Sequence, residues 1–214
     1  MENRRKFYTG GLWSKDNFNK RYEHIKWVLD NQNHLDEDEL KFIIKNGFVS
    51  KIYISEGVKN NYTDKDFGAQ SGLFNDIIAK GRNTVLGTDV FDICKAVENR
   101  GKAYNTRGII IEHVVPAKVY LEDVKGKYSK ELFTENEFQK IFDAVSICLI
   151  TKEEDNRLRQ EFKSKGSGYY TLVSKMPGGY EDYIKFPFAR YDNKLGAGIK
   201  IYGWTIKGGK LEKP

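Results

Sequence analysis

The residues best suited to do chemistry in this sequence are an adjacent acid and histidine, Glu112 and His113. They stand near the end of an apolar run over residues 108–114, which predicts a buried strand that Pro116 stops. An imidazole changes charge near neutral pH, so His113 can take a proton from water, while the carboxylate beside it can bind a cation. The pair predicts hydrolytic chemistry at the end of this strand.

A second half of the pattern follows further along the chain. An apolar run over residues 146–150 predicts another strand. Thr151, with Glu154 three residues later, forms the pattern of a capping box that begins a helix over residues 152–163. Asn156 lies one turn into this helix, where its amide oxygen can serve as a ligand to a hard divalent cation.

Four arginines are predicted to contact nucleic acid, because arginine binds phosphate groups strongly. Arg107 ends a basic connector that leads into the first of these strands. Arg157 and Arg159 follow Asn156 on the predicted helix, and Arg190 stands in an aromatic stretch near the C-terminal end.

The order of these features resembles the HNH endonucleases of the His-Me finger (ββα-metal) superfamily. The resemblance rests on the motif at 112–116 (Glu-His-Val-Val-Pro), followed by a strand, the cap at Thr151 and Asn156 in the helix. It covers residues 107–163, about a quarter of the chain.

The resemblance implies a metal-dependent endonuclease that cuts a DNA phosphodiester. His113 would be the general base, and Glu112 with Asn156 would hold one divalent cation, Mg²⁺ or Mn²⁺. The middle asparagine of the family falls near Ser146, so the Ser146 hydroxyl or a backbone carbonyl is expected to orient the imidazole. The reaction class implies a restriction-type enzyme, with a possible homodimer that reads a palindromic site.

The composition fits a globular chain with a packed core, since 39% of the residues are hydrophobic and 31% are charged. A net charge of +6 favours a polyanionic partner such as DNA. Cys94 and Cys148 lie far apart in apolar runs and no Cys-x-x-Cys pair occurs, so neither a disulfide framework nor a structural zinc is expected. No run approaches membrane-spanning length, so we expect a cytoplasmic protein without membrane association.

We expect a single α+β domain over residues 1–214. Its parts are a mainly helical region over 1–106, a ββα-metal nuclease core over 107–163 and a β-rich segment over 164–214. Apolar spacing and turn residues also predict the individual elements. Helices are predicted over 14–29, 36–45, 73–79, 90–97 and 135–143, strands over 49–55, 119–121, 169–173, 183–188 and 198–206, and a turn at 125–127.

Two other functions stay open at this point. In the first, the chain is a non-catalytic module that binds nucleic acid or an acidic protein, and Glu112 and His113 are structural. In the second, the chain is a hydrolase that acts on something other than nucleic acid. No Gly-x-Ser-x-Gly motif supports this second alternative.

Overall fold

The structure is a computed structural model that describes residues 18–49, 51–62, 108–163 and 169–212. In chain order, the elements of these ranges are α1 (Phe18–Asp30), a 3₁₀ turn (Gln32–His34), α2 (Glu37–Gly47), β1 (Ile52–Ile54), α3 (Glu56–Asn61), β2 (Ile109–His113), α4 (Ala117–Ser129), α5 (Glu135–Ala144), β3 (Ile147–Thr151), α6 (Lys152–Leu158), β4 (Glu161–Lys163), β5 (Tyr169–Thr171), β6 (Thr205–Lys207) and β7 (Lys210–Glu212). This mixture of helices and strands confirms the predicted α+β class. The helices predicted over 73–79 and 90–97, and Arg107, lie outside the described residues.

The scaffold of the described residues is a three-stranded sheet with β3 in the middle. β1 runs parallel to β3, with Ile52 opposite Ile147. β2 runs antiparallel to β3, with Ile109 opposite Thr151. α6 follows β3 directly and packs against both β2 and β3. Two antiparallel strands are thus followed by a helix that lies against them, and α4 and α5 are inserted between the strands.

The sheet is covered on two sides, because successive side chains of each strand point to opposite faces. On one side, which we call the helical face, strand residues pack against α1, α2, α4 and α5. The buried strand residues of this face are Ile52, Ile54, Ile109, Ile147 and Leu149. On the other side, the C-terminal face, Tyr53, Cys148 and Ile150 pack with Leu158 of α6 and with residues 172–201 of the C-terminal segment.

Aromatic rings join the helices of the helical face. Phe138 of α5 is fully buried, and its ring centroid lies 5.0 Å from that of Phe18, 4.9 Å from that of Phe48 and 5.6 Å from that of Tyr22. Tilted ring pairs at these distances add to the free energy gained by burial alone. None of the helices in the described ranges has the length and apolarity needed to cross a lipid bilayer.

The C-terminal segment, residues 169–212, is joined to the end of β1 by backbone hydrogen bonds. The Glu56 N–H donates to the carbonyl of Lys200 and the Tyr202 N–H donates to that of Ile54, both at 2.9 Å. Of the three strands predicted in this segment, two are found in part and one is not. β5 falls within the predicted run 169–173 and β6 overlaps the end of 198–206, whereas residues 183–188 form turns.

Further local predictions are wrong in whole or in part. The strand predicted over 119–121 and the turn predicted at 125–127 both lie inside the helix α4. Tyr120 and Val124 are one helical turn apart and both are fully buried, so packing on the helical face selects the helix. The helix predicted over 152–163 ends at Leu158, and residues 161–163 pair with β5 instead.

Candidate functional site

Glu112 and His113 lie at the end of β2 and project to opposite faces of the sheet. Glu112 is paired with Cys148, whose side chain belongs to the C-terminal face. His113 is paired with Ile147, whose side chain belongs to the helical face. Directly opposed residues of an antiparallel pair place their side chains on the same face. A substrate can therefore touch both Glu112 and His113 only at the sheet end where β2 stops.

The carboxylate of Glu112 is bound by an arginine from the C-terminal segment. Arg190 is 0% exposed, and its Nη2 donates to Oε1 of Glu112 at 2.8 Å. Its Nη1 donates to the backbone carbonyl of His113 at 2.6 Å and to that of Val114 at 3.1 Å. One planar guanidinium thus fixes both the Glu112 side chain and the backbone that follows it.

This position argues against the predicted contact between Arg190 and DNA, because the side chain has no exposed surface. Arg190 is held by the turn that follows it. Asp192, also buried, accepts hydrogen bonds from three backbone N–H groups of the segment, and the Ala197 N–H donates to the Arg190 carbonyl at 2.8 Å. A Cβ on Gly196 would lie 2.1 Å from that same carbonyl oxygen, so this close approach requires glycine.

The capping box predicted at the start of α6 is confirmed. The Thr151 Oγ1 accepts from the backbone N–H of Glu154 at 3.2 Å, and the Glu154 carboxylate accepts from the Thr151 N–H at 2.8 Å. The hydroxyl of Ser55 donates to the same carboxylate at 2.6 Å. The first turn of α6 is therefore fixed to the end of β1 as well as to β3.

Asp155, and not Asn156, is the α6 residue that faces the sheet. The side chain of Asp155 is 1% exposed, whereas that of Asn156 is exposed. Neighbouring residues on a helix differ by about 100° in direction, so the two cannot share a face. Asn156, the predicted metal ligand of this helix, is exposed to solvent. The sequence carries a signal for this placement, because Asp155 lies one helical turn from both Thr151 and Leu158, on the inner face of α6.

Arg159 links Asp155 to Glu112 electrostatically. Its Nε donates to Oδ2 of Asp155 at 2.8 Å. This hydrogen bond and the charge of Asp155 raise the pKa of the Arg159 guanidinium, and the charge of Glu112 raises it further. The Arg159 side chain is 56% exposed, so it reaches solvent while it is bound to Asp155. Arg157 lies 3.8 Å from the carboxylate of Glu154 and is also partly exposed.

The ring of His113 lies beside that of Tyr120, with the centroids 6.3 Å apart and the planes tilted by 34°. Tyr120 is fully buried, and burial raises the pKa of its hydroxyl well above its usual range. Ser146 is not seen to orient the imidazole. Its buried hydroxyl makes no hydrogen bond to any residue of the described ranges, and its carbonyl accepts from the N–H of Val114 at 2.9 Å.

Cys148 and Tyr191 belong to the buried apolar cluster of the C-terminal face, the face on which the Glu112 side chain lies. Burial raises the pKa of the Cys148 thiol and of the Tyr191 hydroxyl, and the negative charges of Glu112 and Glu154 raise both further. A thiol in such surroundings stays protonated and unreactive. Cys148 is therefore a packing residue, as its apolar sequence context predicted.

The donor atoms on this face are carboxylate oxygens. Within the described residues, Arg190 occupies only Oε1 of Glu112, and Oδ1 of Asp155 is buried without a hydrogen-bond partner. Mg²⁺ and Mn²⁺ prefer such oxygen ligands, and one or two carboxylates leave positions for water and phosphate. No group of three His, Cys, Asp or Glu side chains in the described part of the chain is arranged to hold a metal. The two carboxylates fit a hard cation better than they fit zinc.

Comparison with models of known protein families, with curated proteins and with solved structures finds no match for this chain. A functional assignment therefore depends on the residues and the geometry at the end of β2.

Proposed function

We propose that this chain is a metal-dependent endonuclease that hydrolyses DNA phosphodiester bonds at the end of β2. The observation that carries the proposal is the position of Glu112 and Asp155, two carboxylates within electrostatic reach of the half-exposed Arg159, with His113 adjacent in the chain. The antiparallel pairing of β2 with β3, and the packing of α6 on both, also agree with what the resemblance to HNH endonucleases implies.

In this proposal each side chain has one task. His113 accepts the proton of the attacking water, because an imidazole can act as a base near neutral pH. Arg159 binds the phosphate that carries the scissile bond, and Arg190 keeps Glu112 in place from below. A Mg²⁺ or Mn²⁺ ion held by Glu112 and Asp155 would neutralise charge on that phosphate.

The proposal changes the ligand set that the sequence implied. Asp155 replaces Asn156 as the ligand from the helix, since only Asp155 faces the sheet. The Ser146 hydroxyl makes no hydrogen bond within the described residues, so the proposal assigns it no part in orienting His113. Sequence-specific cleavage of the restriction type, and a homodimer that reads a palindromic site, stay predictions of the family resemblance.

Incubation of the protein with supercoiled plasmid tests this function. We expect cleavage with Mg²⁺ or Mn²⁺ and none with EDTA. His113→Ala should reduce the rate by about 10²- to 10⁴-fold, the usual contribution of a general base. His34→Ala is the matched control, because His34 is exposed on the 3₁₀ turn between α1 and α2, and it should cut like wild type. The proposal fails if wild type does not cut or if His113→Ala cuts equally well.

A non-catalytic nucleic-acid-binding module is the second candidate. The ion pair between Arg190 and Glu112 favours it, because that pair accounts for the carboxylate as a structural group. In that case duplex DNA is retarded in a gel but never cut, and His113→Ala does not change the retardation.

A further inference from the structure

Two lysine side chains converge on one phenylalanine ring in the C-terminal segment. The Nζ of Lys185 lies 5.2 Å from the centroid of the Phe186 ring, and the Nζ of Lys210 lies 5.6 Å from it. Both lysines are exposed. A ring attracts a cation to its face but does not neutralise the charge. The two contacts hold two ammonium groups close together at the protein surface.

Backbone hydrogen bonds fix the loop that carries Lys185 to the hairpin that carries Lys210. The Phe188 N–H donates to the carbonyl of Gly209 at 2.9 Å, and the Gly209 N–H donates to the carboxylate of Asp192 at 3.2 Å. The contact is close, since a Cβ on Gly209 would lie 3.1 Å from the Cβ atoms of Phe186 and Ala189. The backbone positions of Lys185 and Lys210 are therefore fixed relative to each other.

Two further exposed lysines lie on the same loop and the same hairpin. The backbone N–H of Lys194 donates to Asp192 at 2.8 Å, and Lys207 precedes the Gly208-Gly209 turn. We call Lys185, Lys194, Lys207 and Lys210 with the ring of Phe186 the lysine surface. Within the described residues, none of these four lysines forms an ion pair, whereas Lys41 and Lys118 each pair with a glutamate of the same helix.

Three of the four acidic side chains of the segment accept hydrogen bonds from the backbone. Glu181 accepts from the N–H of Gly179 at 3.0 Å and Asp182 accepts from that of Lys185 at 3.2 Å. Asp192 is buried under three such bonds. Residues 169–212 contain seven basic and four acidic residues, which is three of the six net positive charges of the chain. The segment thus carries an excess of positive charge, with Glu212 on β7 as the acidic side chain nearest in sequence to Lys210.

We propose that the lysine surface binds the phosphate backbone of double-stranded DNA. This inference rests on the proposed function and names the surface that brings the substrate to the site. The surface and the site share one loop, because Arg190, which binds Glu112, follows Phe186 by only four residues. Lysine is a point charge that contacts phosphates without regard to base sequence, so the surface positions the duplex and does not read it.

Binding of a short fluorescent duplex, measured by anisotropy in EDTA over a series of salt concentrations, tests the proposal without any cleavage. In Lys185→Gln/Lys210→Gln we expect affinity to fall by about tenfold and the slope of log K against log salt to fall by about 2, since each lost phosphate contact removes about 0.9. Lys41→Gln/Lys118→Gln is the control, because it removes the same charge from exposed, ion-paired positions. It should retain the wild-type slope.

The proposal is overturned if the two double variants lose the same affinity, if wild type does not bind the duplex, or if polyglutamate displaces the duplex at equal charge concentration. The last result would identify a surface for acidic proteins instead. Failure of the lysine-surface proposal can be told apart from failure of the nuclease proposal. Wild type that binds through these lysines without cutting refutes only the nuclease, and wild type that cuts with a lysine-independent slope refutes only the surface.

Discussion

Arg190 donates a hydrogen bond of 2.8 Å to the carboxylate of Glu112, a residue 78 positions earlier in the chain. The arginine is fully buried and the glutamate is 18% exposed, so the pair sits at the boundary between the core and solvent. This contact makes the C-terminal segment part of the candidate site. It also explains how the side chain of Glu112, at the end of a short strand, is kept in one orientation.

Loss of the Arg190 guanidinium should be strongly destabilising. Arg190→Gln leaves two carbonyls and the Glu112 carboxylate without their donor, and breaking a buried pair costs about 3 to 5 kcal/mol. Urea unfolding measures the change. Lys118→Gln, which breaks an ion pair whose two side chains are each 69% exposed, should cost less than about 1 kcal/mol. Similar losses in both variants would contradict a central role for Arg190.

The turn after Arg190 should tolerate no side chain at position 196. In Gly196→Ala the new Cβ would meet the carbonyl of Arg190 at 2.1 Å and that of Ala189 at 2.6 Å, so the backbone must move. We expect a loss of about 2 kcal/mol or more, with a parallel loss of DNA cleavage. Gly126→Ala, in open space inside α4, should instead be stabilising by up to about 1 kcal/mol. A stable, active Gly196→Ala variant would show that the turn does not fix Arg190.

Substitutions at two neighbouring residues of α6 distinguish the ligand that the structure favours from the ligand that the sequence implied. Asp155→Asn should reduce metal-dependent cleavage by at least about 100-fold, because a catalytic metal contributes several kcal/mol to transition-state stabilisation. Asn156→Ala changes an exposed side chain and should alter the rate by no more than about threefold. Initial rates on plasmid, with the thermal stabilisation by Mn²⁺ as a second measurement, decide between them. The reverse pattern would restore Asn156 as the ligand.

Stability should decrease at mildly acidic pH through His24. Burial lowers the pKa of His24 from its ordinary 6.5, so the folded state disfavours the charged imidazole. The unfolded state then binds more protons, and the free energy of unfolding is fully retained above pH 6.5 and falls as the pH drops below that value. Urea unfolding of wild type and His24→Gln at several pH values measures this. A variant with the same pH slope as wild type would exclude His24 as the source.

Predictions from sequence succeeded where the signal is local. Thr151 and Glu154 are three residues apart, and the capping box they predict forms because both partners lie in one helical turn. The apolar run before Glu112 likewise becomes β2, since a β-branched run needs only a neighbouring strand. The helix predicted over 135–143 is found as α5 because its apolar residues repeat at helical spacing.

Predictions failed where the outcome depends on residues distant in sequence. Nothing near Arg190 indicates that the chain folds back onto β2, so an arginine among aromatic residues was interpreted as a DNA contact. Asn156 was predicted as the helix ligand, whereas the buried side chain is that of Asp155, because tertiary contacts decide which side of α6 packs on the sheet. The sequence of α4 is mostly polar and was not predicted as a helix. The helix is stabilised by the burial of Tyr120 and Val124.

The long span between Arg190 and β2 also bears on the order in which the molecule assembles. Closing a loop of this size costs chain entropy before the contact returns any free energy, so contacts distant in sequence form slowly. The β2–β3 pair and the capped first turn of α6 are much closer in sequence and can form earlier. We therefore expect a folding intermediate in which β2 and β3 are paired but Glu112 is not yet fixed, so that activity appears only in a later step of folding.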